Sequence, residues 1–202
     1  MKNKIYSVMM LALMLGLSSC SKDDETETDA KNTIEYDGIK SVLKKGALID
    51  FDISSYYGTT DTHLNYDFYI TDGAIITDNT GQISDIQGKF GVWIWLESFG
   101  TTGGFKTGTY TYIDGENDAS LSDAQMKTKY ENKLFIAGAS VYINTNVSTS
   151  FDNNTTQDIK IKSGSVTVSG SKPNYTITYD LVMENNKTAK GSYSAGFQAF
   201  VD

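Results

Sequence analysis

Apolar and polar residues alternate along much of this chain with a period of two. Leu64, Tyr66, Phe68 and Ile70 interleave with His63, Asn65, Asp67, Tyr69 and Thr71, as a strand with one buried face requires. Tyr175, Ile177, Tyr179, Leu181 and Met183 interleave in the same way with Thr176, Thr178, Asp180 and Val182, and Tyr193, Ala195, Phe197, Ala199 and Val201 close the chain. Ile159, Ile161, Val166 and Val168 flank a Ser163-Gly164 step suited to a β-bulge. Turn signals separate the runs: Asp37-Gly38, Asp72-Gly73, Thr80-Gly81, Gly103-Gly104, Asp114-Gly115, Gly170 to Pro173 and Asn185-Asn186.

Strands of this length between such turns predict an all-β domain. The expected form is an antiparallel β-sandwich of roughly 8–10 strands, with a closed lipocalin-like barrel as the alternative. Loop parity follows from the faces, because a one-residue slip turns a strand inside out. Val166 and Val168 face inward with Tyr175 and Ile177 only if the turn at Gly170 to Pro173 is even. Tyr175 to Leu181 face inward with Tyr193, Ala195 and Phe197 only if Glu184 to Lys187 holds an odd loop or a bulge. One segment, Ser120 to Lys133, has helical character, with Ser120 or Ser122 available as a cap.

Thirteen Tyr, nine Phe, eighteen Gly and a single Pro agree with strands and tight turns. The chain has 17 basic and 25 acidic residues, and every basic residue is lysine. A negative surface disfavours nucleic acid as a partner. The lack of arginine removes the bidentate fork that usually recognises phosphate and carboxylate groups, so an anionic ligand is not expected.

The N-terminus has three parts. Lys2 and Lys4 supply positive charge, Val8 to Leu17 is apolar, and Leu17-Ser18-Ser19-Cys20 ends the segment. Ten apolar residues fall short of the roughly 20 that cross a bilayer as a helix. Leu-Ser-Ser-Cys resembles the lipobox of bacterial lipoproteins, and the resemblance implies that residues 1–19 are removed and that Cys20 is acylated. Cys20 is the only cysteine, so no disulfide framework is expected. Ser21-Lys22-Asp23-Asp24-Glu25 is similar to the lysine-plus-acidic export signal of Bacteroidota-type surface lipoproteins. That similarity implies an outer-membrane protein facing the cell exterior. Residues 20–32 then form an acidic tether, with Ala30 its one apolar side chain after Cys20, and residues 33–202 form a single domain. Loss of Lys2 and Lys4 leaves 15 lysines against 25 acids, a net charge of −10. Anionic headgroups repel such a domain, so the membrane contact is expected to be the acyl chains alone.

Gly108-Thr109-Tyr110-Thr111-Tyr112, Ser163 to Ser169, Asn174 to Tyr179 and Gly191-Ser192-Tyr193 together resemble a group of small Bacteroidota-type lipoprotein domains without an assigned activity. The likeness rests on strand and turn patterns and transfers no site residue.

Candidate chemistry is sparse. His63 is the only histidine and falls on the polar side of its strand near a loop, which reads as a surface residue rather than a catalytic or metal-binding one. Asp114, Glu116 and Asp118 place oxygens at alternate positions, but Ala119 and Gln125 stand where a calcium loop needs Gly and Glu, so the segment reads as a solvated turn. Neither a cofactor nor a metal is expected, and the chain is read as a non-enzyme.

The feature that suggests binding is Val92-Trp93-Ile94-Trp95-Leu96. Alternation puts Trp93 and Trp95 on one face and the aliphatic residues on the other. Both faces are thus apolar, and aromatic core is the default reading. The alternative is an aromatic platform, with Tyr110 and Tyr112 brought beside the indoles by the Gly-rich loop from Ser98 to Lys106, where a neutral sugar ring could stack. On that reading the function is non-catalytic glycan binding. A structural or adhesive role toward a surface protein is the runner-up, and a carboxylate-based hydrolase comes third.

Overall fold

The computed structural model describes residues 31–54, 62–145 and 159–201. Residues 1–30, on which the expected signal segment, Cys20 and most of the expected tether fall, lie outside them. Among the described residues thirteen strands form. They are β1 (Thr33–Tyr36), β2 (Ile39–Val42), β3 (Lys45–Ser54), β4 (His63–Thr71), β5 (Ile75–Thr77), β6 (Ile83–Ile86) and β7 (Phe90–Phe99), followed by β8 (Gly108–Tyr112), β9 (Leu134–Ile143), β10 (Ile159–Ser171), β11 (Asn174–Met183), β12 (Thr188–Tyr193) and β13 (Phe197–Val201). One α-helix, α1 (Asp123–Tyr130), is capped by Ser122, whose backbone N–H donates to the Gln125 side chain at 2.9 Å.

Eleven strands make one sheet in the order β13-β3-β4-β7-β9-β8-β10-β11-β12-β1-β2, and β5 pairs with β6 in a separate hairpin. Two short connections force the large sheet to curl. Only Leu43 and Lys44 join β2 to β3, which lie nine strand spacings apart in the order, about 43 Å if the sheet were flat. Three peptide steps reach at most about 11 Å. Ser194 to Gly196 likewise join β12 to β13 across eight spacings. The two sides of the sheet are therefore drawn together at the strand ends these links join, and its inner face curls around one core. Ile34, Phe68, Ile94, Tyr110, Ile177 and Phe197, from six different strands, all lie in that core.

The all-β expectation holds, with a difference in pairing. Most neighbours are antiparallel, but β13 runs parallel to β3 and β8 parallel to β9. The loop parities are those the faces required. A two-residue turn, Lys172-Pro173, joins Ser171 to Asn174, and Val168 pairs with Ile177 while all four inward residues are buried. Ile177 pairs with Tyr193 and Leu181 with Ala189, so the β11–β12 register centres on Asn185 and the loop is odd. Asn186 has φ of 63°, the left-handed residue that closes a three-residue hairpin. The register of β10 slips between Ile161 and Ser163, beside the anticipated bulge. At the β1–β2 turn Asp37 and Gly38 both have positive φ, 50° and 78°, the conformation of a type I′ hairpin.

Candidate functional site

The middle of the sheet is covered on both faces in part. Inward residues of β4 and β7, such as Phe68 and Ile94, fill the main core. On the outer face, Ala47, Tyr69, Ile86, Tyr142 and Phe200 form a second cluster, to which the β5–β6 hairpin contributes. Farther along, Tyr130 of α1 and Phe135 of β9 form a third. Trp93, packed against the second cluster, and Trp95 occupy the stretch of β7 that runs from one cover to the other. In register, Tyr142 lies opposite Gly91, before the pair, and Phe135 lies opposite Glu97, after it. Both indoles are part-buried, whereas their neighbours Val92, Ile94 and Leu96 are fully buried on the inner face.

Each indole is held at its N–H edge by an acid. Trp93 Nε1 donates to Asp67 Oδ2 at 2.8 Å and Trp95 Nε1 to Glu97 Oε1 at 3.1 Å. Asp67 is on β4, directly opposite Trp95. On the other side of β7, Gly138 of β9 also lies opposite Trp95, and a Cβ built there would stand 3.4 Å from Cη2 of Trp93 and 3.6 Å from Cε3 of Trp95. The Trp93 ring thus reaches from a carboxylate on one neighbouring strand to a bare backbone on the other. A ring held at opposite ends on either side of its own strand lies across the sheet. Tyr69 extends the row, its ring 6.4 Å from Trp93 at an interplanar angle of 29°, and Trp93 and Trp95 are 6.5 Å apart at 32°.

The acids are unusual for a sheet face. Asp67 is 4% exposed and Glu97 is fully buried. Burial pushes the Asp67 carboxyl up to about 7, and the hydrogen bond from Trp93 offsets only part of that shift. Burial also raises the Tyr69 hydroxyl, and the nearby Asp67 adds to the effect.

The expected partnership of the indoles with Tyr110 and Tyr112 does not form. β9 lies between β7 and β8, and Tyr110 points to the inner face, fully buried and stacked 5.6 Å from Phe105. Its hydroxyl donates to the Lys106 carbonyl. Tyr112 is part-buried against the same inner core. Two of the four platform residues therefore belong to the opposite side of the sheet. Cys20 lies outside the described residues.

His63 also departs from expectation. Its ring is fully buried on the outer face, edge-on to Phe99 at 5.5 Å and Phe135 at 5.3 Å, with Nδ1 2.8 Å from the Thr62 hydroxyl. The outer aromatics cover what alternation alone assigned to solvent, and burial lowers the imidazole below its ordinary value. Of the three acids in the supposed solvated turn, Asp114 and Glu116 are exposed, but Asp118 is buried and pairs with Lys129 and the Tyr130 hydroxyl. Its role is to pin α1 to the preceding loop. No group of three potential metal ligands occurs among the described residues.

Asp67 and Glu97 are the site residues that sequence reading missed. Their signal was present: Trp93, Trp95 and Glu97 share parity on one strand, and Asp67 interrupts Tyr66, Phe68 and Tyr69 in the middle of another. Comparison with known protein families, curated proteins and solved structures finds no match to this chain.

Proposed function

We propose that this protein is a lipid-anchored domain on the outer face of the outer membrane that binds a neutral glycan, without catalysis, through Trp93 and Trp95. The observation that carries the reading is the arrangement of the indole pair: part-buried, spread across the strands and hydrogen-bonded at the N–H edges. An indole fixed in this way offers an apolar face to the C–H face of a sugar ring at little further cost in side-chain entropy. A surface without arginine, carrying buried carboxylates beside the rings, suits a ligand with hydroxyl donors better than one with anionic groups.

A glycan array probed with the full chain tests the binding claim. Wild type is expected to select neutral oligosaccharides, and the Trp93→Ala, Trp95→Ala double variant to lose that signal. Tyr110→Phe, altered only on the inner face, is expected to keep it. Part-burial means each Trp truncation also costs stability, about 2 kcal/mol, short of the roughly 3–5 for a fully buried ring. Circular dichroism of the double variant therefore accompanies the array. Retained glycan binding by a folded double variant would remove the indoles from the account.

The anchor has its own test. Cys20→Ala is expected to leave the membrane fraction or to remain unprocessed, because acylation needs the thiol. Normal processing and tight membrane association of that variant would refute the anchor.

A further inference from the structure

We infer that Asp67 and Glu97 are positioning residues of the indole pair, each carboxylate holding one ring by its N–H so that ring faces, rather than N–H edges, meet the ligand. The inference rests on the glycan-platform reading for its purpose, but the geometry stands independently of any ligand. Both acids are almost entirely buried, and each reaches one indole nitrogen, at 2.8 and 3.1 Å. Gly138 leaves the space into which the far edge of Trp93 extends. A strand face that needed only apolar cover would have no use for two buried carboxylates, since burying an acid is costly unless its oxygens are engaged. Ring orientation is what these two contacts determine.

Protonation gives the clamp a measurable signature. Asp67 ionises near neutrality because burial opposes its charge, and a charged acceptor binds an N–H more strongly than a neutral one. The Trp93 contact should thus tighten as pH rises through about 7. The groups around Asp67 limit the other sources of such a change. On its own strand Tyr69 and His63 share its face, with Asn65 between His63 and Asp67. From β7 it meets Trp95 directly and Glu97 diagonally, from β3 it meets Ile49, and Ala47 of β3, Ile86 of β6, Phe200 of β13 and Tyr142 of β9 complete the outer cluster. Tyr69 titrates far above neutrality and His63 below its ordinary value.

The chain has only two tryptophans, so intrinsic emission reports on this site alone. Emission and acrylamide quenching of the full chain are followed against pH in wild type, Asp67→Asn and Asp67→Ala. Wild type is expected to show a spectral transition centred near pH 7. Asp67→Asn, which keeps an acceptor oxygen but cannot ionise, is expected to lose the transition while its quenching matches that of wild type below the transition. Asp67→Ala is expected to show increased quenching at every pH, because Trp93 is released. Glu97→Ala, which releases Trp95, is expected to show increased quenching as well. A wild-type transition surviving in Asp67→Asn would overturn the inference, as would unchanged quenching in a folded Asp67→Ala. Should Asp67→Ala not fold, the Asp67→Asn titration alone decides. No glycan is present, so this result stands or falls separately from the binding proposal.

Discussion

Phe68→Ala is expected to cost about 3–5 kcal/mol, a large share of the roughly 5–15 available to a domain of this kind. Phe68 is fully buried on the inner face of β4. Its ring meets Phe197 of β13 at 5.3 Å, Phe105 at 5.5 Å and Tyr175 of β11 at 6.0 Å. Those partners come from the edge strand β13, from β11 in the other half of the strand order and from the loop before β8, so the cavity would open across the inside of the curl. Little can collapse into it, because each neighbour is fixed in a strand or stacked on another ring, as Phe105 is on Tyr110. Urea unfolding followed by far-ultraviolet circular dichroism measures the loss. A loss below about 1 kcal/mol would mean that the inner face is not the main core.

Gly191→Ala is expected to be nearly as damaging, about 3 kcal/mol or more, although it adds one methyl group. Gly191 pairs with Tyr179 on one side and Ile34 on the other. A Cβ there would lie 2.0 Å from the Thr33 carbonyl oxygen and 2.4 Å from the Tyr179 hydroxyl. Tyr179 is buried and donates from that hydroxyl to the same carbonyl at 3.1 Å. The phenol thus crosses the position where a side chain would be, and the methyl would disrupt both the packing and the hydrogen bond. Because backbone is one of the clashing partners, Tyr179→Phe should not rescue the variant. Denaturant midpoints of Gly191→Ala and of the double variant test this, and near wild-type stability in either would contradict the β12–β1 packing.

The faces of β10, β11 and β12 were legible because each strand buries one face and exposes the other, and because tight hairpins carry parity from strand to strand. Val168, Ile177 and Tyr193 could be placed together on that basis alone. The same logic failed between β7 and β8. The chain from Gly100 to Thr107 is irregular, so the parity of Trp93 could not be carried forward to Tyr110, and nothing local revealed that β9 would insert between the two strands. Burial on the outer face was hidden for a different reason. His63, Asp67 and Glu97 look polar and therefore exposed. The outer face is covered by the β5–β6 hairpin, a connection whose folding back over the sheet no local pattern encodes, and by the aromatics packed with α1, which are distant in sequence. The parallel β13–β3 pair joins the last strand to an early one, a contact that no local pattern encodes.

The central claim is that a neutral glycan meets Trp93 and Trp95. Titrating the full chain with the best neutral oligosaccharide from the array, while following tryptophan emission, tests it most directly, since no other tryptophan contributes. A saturable change in emission, with the same midpoint as binding measured by calorimetry, is the predicted result. Calorimetric binding that leaves the emission of both indoles unchanged would contradict it.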